Sequence, residues 1–259
     1  MVEIPDVEPF LDDFDGDTLD ESVWLPSYLP AWSSLAEAAA TYVVADSLLR
    51  LSIPPQQGVW CARDHRPPIR VSAVQSGNFS GPVGSTVGQQ PFRDGLTVRE
   101  EQEPFWGWTP SGGFVEVRMR GVVTARSMFA AWMIGLEDQP ERCAELCIAE
   151  IFGDAVRADG SCAVGSGLHA FRDPDVEEDF DAVRLPIDPA ELHTYAVDWR
   201  PDRAQFLVDG EQVRSVRRPP RYPMQLVLAV FDFPDRAAGD DDAVPELVVD
   251  LVRSQPSRR

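Results

Sequence analysis

Lysine is absent from this chain, and all 23 of its basic residues are arginine. Against them stand 43 acidic residues, giving a formal net charge of −20 over 259 residues. A field this negative repels phosphate backbones and anionic membrane surfaces, which argues against nucleic-acid and membrane-surface partners and leaves neutral ligands such as sugars. The same charge also serves plain solubility. Long hydrophobic runs are missing too: no stretch approaches the roughly 20 apolar residues of a membrane-spanning helix. The opening MVEIPDVEPFL has neither the basic start nor the apolar run of a secretory leader. A cytoplasmic location is therefore expected, or a secreted one if a leader has been trimmed. Cysteine is scarce, with Cys61, Cys143, Cys147 and Cys162 alone. Their spacing does not read as a tetrahedral zinc site, and four are too few for a disulfide scaffold in a chain of this length. Free thiols are expected, with Cys143 and Cys162 the pair to test first for a bridge.

Helical periodicity is nearly absent, and alternation of apolar and polar residues takes its place. Phe114–Val123, Leu192–Arg200 and Arg203–Val216 alternate in this way, and the last carries Asp209-Gly210 between two runs, a strong hairpin signal. Further strands are expected at Thr41–Ile53, Pro68–Gln75, Leu96–Glu101, Ser127–Leu136, Ala144–Phe152, Met224–Phe233 and Leu247–Arg253. The 23 prolines and 18 glycines punctuate these runs, a pattern of many short strands that suggests one antiparallel sandwich or barrel. Leu35–Ala40 is the one helix-like run. Pro234–Ala243 reads as a surface loop and Ser254–Arg259 as a loose tail.

The stretch with chemical content is Glu145–Gly153, ELCIAEIFG. Its two carboxylates are five positions apart, so a regular strand turns them to opposite faces. One extra residue in a β-bulge restores a shared face, and bulges are common beside active sites. Glu145, Cys147 and Glu150 then line one surface, with the carboxylates able to approach to about 5–5.5 Å, the separation of a retaining glycosidase. Crowding raises the pKa of one of them, which divides the roles of ionised nucleophile and protonated acid. Without the bulge, they are two solvated glutamates of an edge strand.

This stretch resembles the catalytic signature E-x-D-x-x-E of glycoside hydrolase family 16, the laminarinase-like β-glucanases. Other blocks resemble the family in the same order: LDDFDGDTLDESVW at Leu11–Trp24, GGFVEVRMR at Gly112–Arg120, MFAAWMIG at Met128–Gly135, HTYAVDW at His193–Trp199 followed by FLVDGEQV, and VVDLVRS at Val248–Ser254. The resemblance implies an all-β, concanavalin A-like jelly roll over the whole of residues 1–259, with an open concave cleft. It implies β-glycosidic cleavage in a β-glucan or β-galactan, Glu145 as nucleophile and Glu150 as general acid/base. A transglycosylase or a non-catalytic glycan-binding protein on the same fold are the alternatives. Cys147 departs from the pattern, standing where the family has an aspartate that assists the nucleophile. A thiol is a weaker hydrogen-bonding partner. Met128 departs as well, standing where relatives carry the first tryptophan of W-P-A-F-W, while Trp132 fits the second.

Candidate sugar contacts are Phe105, Trp106 and Trp108 in PFWGWTP, since sugar rings stack on aromatic faces and loops carry sites. Trp60, Trp132 and His169 join them, and Arg70 and Gln75 are candidates for sugar hydroxyls. Trp199 and His193 read as structural. No cofactor is required. Relatives often hold a structural calcium between the opening and closing segments, which makes Asp13 and Asp250 candidate ligands, with solvated surface charge as the alternative reading.

Overall fold

The computed structural model describes residues 8–236 and 243–257. Its strands are, in chain order, β1 (Phe10–Asp12), β2 (Tyr42–Ala45), β3 (Leu48–Ser52), β4 (Arg70–Gln75), β5 (Gly77–Asn78), β6 (Phe105–Trp106), β7 (Gly113–Val122), β8 (Ser127–Gly135), β9 (Glu145–Phe152), β10 (Cys162–His169), β11 (Asp179–Leu185), β12 (His193–Trp199), β13 (Arg203–Val208), β14 (Glu211–Arg217), β15 (Met224–Asp232) and β16 (Glu246–Gln255). All pairings are antiparallel. One sheet runs β14-β13-β12-β7-β16-β3-β2 with β1 also on β16, and a six-stranded sheet runs β11-β10-β9-β8-β15-β4. The fold is an antiparallel jelly-roll sandwich.

Period-2 alternation builds two cores from the six-stranded sheet. Phe129, Ala131 and Met133 of β8 point inward, joining Val115, Val117, Tyr195, Val197 and Trp199 of the opposite sheet. Met128, Ala130, Trp132 and Ile134 point outward into a second cluster, with Val71 and Ala73 of β4 and Val227, Ala229 and Phe231 of β15. That outer cluster is covered by chain segments around Leu29–Trp32, Trp60–Cys61 and Leu96–Val98. The expected open face is therefore roofed over β4 and β15, and bare only towards β9 and β10.

The roof accounts for one correction. Leu96–Glu101 forms no strand of either sheet. Val98 N–H instead donates to Ser85 O and Arg99 N–H to Ala31 O, each at 2.8 Å, so the segment laces loops together. Leu35–Ala40 is a turn followed by extended chain, not a helix. Thr41–Ile53 is a hairpin, because Asp46 and Ser47 both take positive φ (55° and 56°) and reverse the chain. Ser254 is buried and pairs with Phe10, so the closing strand extends into the expected tail. Residues 237–242 of the expected loop and 258–259 of the tail lie outside the described residues. All four cysteines are buried and free, and the Cys143 thiol accepts from Arg172 N–H at 3.3 Å rather than bridging to Cys162.

Candidate active site

The strand register shows how Glu145 and Glu150 come to share a face. On β8, Ala131 and Trp132 are consecutive, yet they pair with Ala149 and Cys147 of β9. On β10, Gly165 and Gly167 pair with Glu150 and Cys147, so three steps on β9 oppose two on its neighbour. One residue is extra. Ile148 and Ala149 are consecutive and both belong to the inter-sheet core, whereas Cys147 belongs to the outer cluster. Leu146 and Ile151 also point inward. Glu145, Cys147 and Glu150 therefore lie on the outer face, with Cys147 buried in the outer cluster and the two glutamates half-buried at its edge.

Their neighbours follow from the same register. Glu145 lies between Ile134 and His169, Cys147 between Trp132 and Gly167, and Glu150 between Ala130 and Gly165. The small residues beside Glu150 keep its flanks low. A Cβ on Gly165 would fall 2.6 Å from the Phe180 ring, so glycine is what lets Phe180 lie across β10 next to Glu150. Phe180 in turn stacks on His169 with ring centroids 4.4 Å apart. His169 Nδ1 is 2.6 Å from Glu178 Oε1, and Glu178 Oε2 accepts Ala170 N–H at 2.9 Å.

Both carboxyls are half-buried and both are pushed up. Glu145 is raised to about 8, by burial first, then by the charges of Glu150 and Glu178. Glu150 is raised by burial, a shift moderated by His169 and Arg236. Burial and the two glutamates push the Cys147 thiol well above its ordinary value, so it is neutral at physiological pH. Its sulfur lies 3.9 Å from Gly165 O of β10. Glu145 is therefore the member that holds a proton at neutrality, and His169 and Arg236 make Glu150 the more readily ionised one, with a neutral thiol between them in the strand.

Aromatic rings stand beyond each carboxylate. On the Glu150 side, Phe152 and Phe233 are stacked at 6.0 Å, with the Arg236 guanidinium 5.0 Å and 4.4 Å from their centroids. On the Glu145 side is a pocket of about 220 Å³ lined by Tyr28, Trp60, His65, Phe92 and Phe171 among others. Tyr28 lies close enough to Glu145 for that carboxylate to help raise its phenol pKa, burial being the larger cause.

The candidate sugar contacts divide. Trp60 and Trp132 are at the site but buried: the Trp60 indole N–H donates to Tyr28 O at 2.8 Å, and Trp132 Nε1 has no hydrogen-bond partner among the described residues. His169 stands directly beside Glu145. Trp108 is turned instead onto Phe10, its ring stacked at 4.5 Å, and its carbonyl accepts from Ser76 Oγ at 2.6 Å. Phe105 and exposed Trp106 pair with Asn78 and Gly77, in a two-stranded ribbon separate from the six-stranded sheet. Arg70 is held at 2.8 Å by buried Asp232, away from the outer face. Gln75 is wholly buried, accepting Leu29 N–H at 3.1 Å and donating to Gly77 O at 2.7 Å, so it braces the roof. Trp199 and His193 are structural: the Trp199 indole N–H donates to Pro220 O, and His193 contacts Asp209.

The two candidate calcium ligands are placed as follows. Asp250 is engaged by Arg118 at 2.8 Å and Asp13 is exposed. Among the described residues, no group of three His, Cys, Asp or Glu side chains is arranged to hold a metal.

A bulged carboxylate pair on the outer face of a jelly roll, between aromatic walls, is the layout of a glycoside-processing β-sandwich. The family model for glycosyl hydrolases family 16 matches residues 111–241, half of the chain, and the chain belongs to that family. Among solved structures, it resembles the "GlcNAc[alpha]1-4Gal releasing endo-[beta]-galactosidase from Clostridium perfringens" at TM-score 0.79 and 25% identity, over 95% of this chain and 61% of that one. It resembles the laminarinase from Flavobacterium sp. UMI-01 at TM-score 0.65 and 15% identity, over 95% and 98% of the two chains. The Crh5 transglycosylase superposes at TM-score 0.62 and 15% identity, over 97% and 85%. No curated protein sequence matches significantly.

Proposed function

We propose that this chain is a retaining glycosidase of β-galactosidic bonds, with Glu145 as nucleophile and Glu150 as general acid/base. The observation that carries the reading is the extra residue in β9, which sets both carboxyls on one bare face. In the first step Glu150 gives its proton to the glycosidic oxygen while Glu145 attacks the anomeric carbon, forming a glycosyl-enzyme. Glu150 then takes a proton from water, which displaces Glu145. His169 and Arg236 favour the ionised form of Glu150 needed in that second step. The first step needs the reverse of the free site, in which burial and the Glu150 charge hold the proton on Glu145, so the proton must pass to Glu150 as the sugar binds.

The galactosidic assignment is supported by the endo-β-galactosidase likeness, which exceeds that to the laminarinase in both identity and superposition. The test is hydrolysis of β-galactan-type and β-glucan-type polysaccharides, with the product's anomeric configuration followed by proton NMR. Net retention on a β-galactoside, lost in Glu145→Gln, is the expected result. Inversion, or undiminished activity in that variant, would sink the mechanism. Binding of the same polymers without any turnover would leave a glycan-binding protein. That alternative is favoured by one observation, the thiol where a carboxylic acid would assist the nucleophile.

A further inference from the structure

The larger sheet, which does not carry the catalytic pair, has a groove of about 590 Å³ on its own outer face. The strand register builds it in rows. Phe114, Asp198 and Gln205 stand side by side on β7, β12 and β13, and Glu116, Ala196 and Leu207 form the next row, which Gln212 continues on β14. Ala196 is the low point of the floor, and Phe114 and Leu207 flank it as apolar ridges. A bulge shapes the outer edge. Phe206 and Leu207 are consecutive on β13 yet pair with Arg214 and Gln212, so Val213 is extra. Val213 packs against the inter-sheet core and Arg214 pairs with Asp179, while Gln212 is left on the outer face. The groove crosses three strand spacings, about 14 Å, and takes a stretch of chain rather than a single ring.

Its chemistry points to a neutral, hydroxyl-bearing ligand. Neither arginine nor histidine is among the described lining residues, so anions have no partner in it. Its carboxylates are already compensated from outside: Glu116 by Arg253, Asp198 by Arg200 and Asp209 by His193, each at 2.7 Å. A basic peptide therefore finds little charge to neutralise. One acceptor is nevertheless left over. Asp198 is 9% exposed, its Oδ2 faces Arg200, and its Oδ1 is enclosed with no hydrogen-bond partner among the described residues. A buried carboxylate oxygen without a donor is costly, and a ligand hydroxyl would supply one. The Gln205 amide donates to Gln212 Oε1, which leaves the Gln212 amide nitrogen for an outside acceptor. Acceptor and donor thus stand on either side of an apolar floor, the combination that suits a sugar chain. We propose that this groove is a second glycan site, which holds a neutral β-linked polysaccharide on the sheet opposite the catalytic pair and keeps the protein on its polymer. The inference rests on the reading of the chain as a glycan-processing protein, not on the roles of Glu145 and Glu150.

A local reporter tests it. All four native cysteines are buried, so a polarity-sensitive dye can be placed on Glu211→Cys, an exposed position at the groove's rim. The dye is introduced into Glu145→Gln, to prevent cleavage, and titrated with linear β-galacto- and β-gluco-hexaose. A saturable fluorescence change is expected with at least one of them, weakened about tenfold by Asp198→Asn and by Gln212→Ala, the scale of one lost hydrogen bond. Gln212 is exposed, so the second variant stands if the first fails to fold. No change with either hexaose, or a change that Gln212→Ala leaves untouched, overturns the site. A response to an arginine-rich peptide and to neither sugar also overturns it and marks a protein-docking face. The catalytic reading is scored separately: hydrolysis with a silent dye removes the groove alone, and a Gln212-dependent response without any hydrolysis removes the catalytic roles alone.

Discussion

The six-stranded sheet has two halves that share a backbone and differ in what rests on them. Over β4 and β15, the outward residues Val71, Ala73, Val227 and Ala229 lie under a roof of loops and are as buried as any inter-sheet residue. Over β9 and β10, the outward residues are Glu145, Glu150 and His169, with Gly165 and Gly167 between. One half is a hydrophobic core added to the outside of a sandwich. The other puts ionisable groups in partly apolar surroundings, where burial raises both carboxyls and the Glu150 charge adds to the cost of charging Glu145. Rigidity is concentrated in the first and reactivity in the second, and the pocket beside Glu145 lies where they meet.

Substitutions can separate the halves. Glu145→Gln has the largest expected effect, a loss of at least about a thousandfold in kcat with the fold retained, measured on whichever β-galactoside proves to be cleaved. The same variant has a signed effect on stability. Glu145 is raised to about 8 in the folded chain, against an ordinary value of 4.5, so the folded state holds a proton that the unfolded state has lost between those limits. Stability contributed by this position is present below about pH 4.5 and is lost as pH rises towards 8. Glu145→Gln should therefore raise Tm at pH 8 and leave it nearly unchanged at pH 4.5. On the roofed half the opposite result is expected: Trp60→Ala costs about 3–5 kcal/mol by opening a cavity, measured by denaturant unfolding.

Smaller effects sharpen the contrast. Cys147→Asp places a carboxylic acid between two glutamates, where its proton can be donated to Glu145. A hydrogen bond to a charged group is worth about 1.5–3 kcal/mol, so a gain of about tenfold in kcat is expected, and an unchanged rate would show the thiol to be sufficient. The pH–rate profile should be a bell, since the singly protonated pair is the working form. Its alkaline limb should fall near 8, where the last proton leaves, well above the range of isolated carboxyls. Arg236→Gln should have the least effect. That guanidinium lowers the Glu150 pKa and is itself 44% exposed, so its removal should move the profile upward by a fraction of a unit.

The bare half was more legible in the sequence than the roofed half, for a physical reason. β9 declares itself by two glutamates around apolar residues, and a bulge is the one local device that reconciles their spacing with a shared face. The Asp209-Gly210 hairpin was equally legible, because both residues hold the positive φ (50° and 84°) that the turn requires. β10 passed unread because Gly165 and Gly167 interrupt its alternation, and those glycines are there to admit Phe180. β11 was missed because DFDAVRL is largely exposed and polar. The site's aromatic walls, Tyr28, Phe92, Phe171, Phe180 and Phe233, come from loops and strand ends far apart in the chain. No period links them, and composition does not distinguish them from Trp108, which packs on Phe10.

The added residue in β9 makes the alignment of the two acids a matter of counting rather than of contacts. Side-chain replacements around them leave that count intact, so the constellation should drift slowly under substitution. Loss of a single codon at Ile148 would be different in kind. It would leave a regular strand with the two acids four positions apart, still on one face but without the kink that now sets their approach, so activity rather than the shared face is what the deletion should remove.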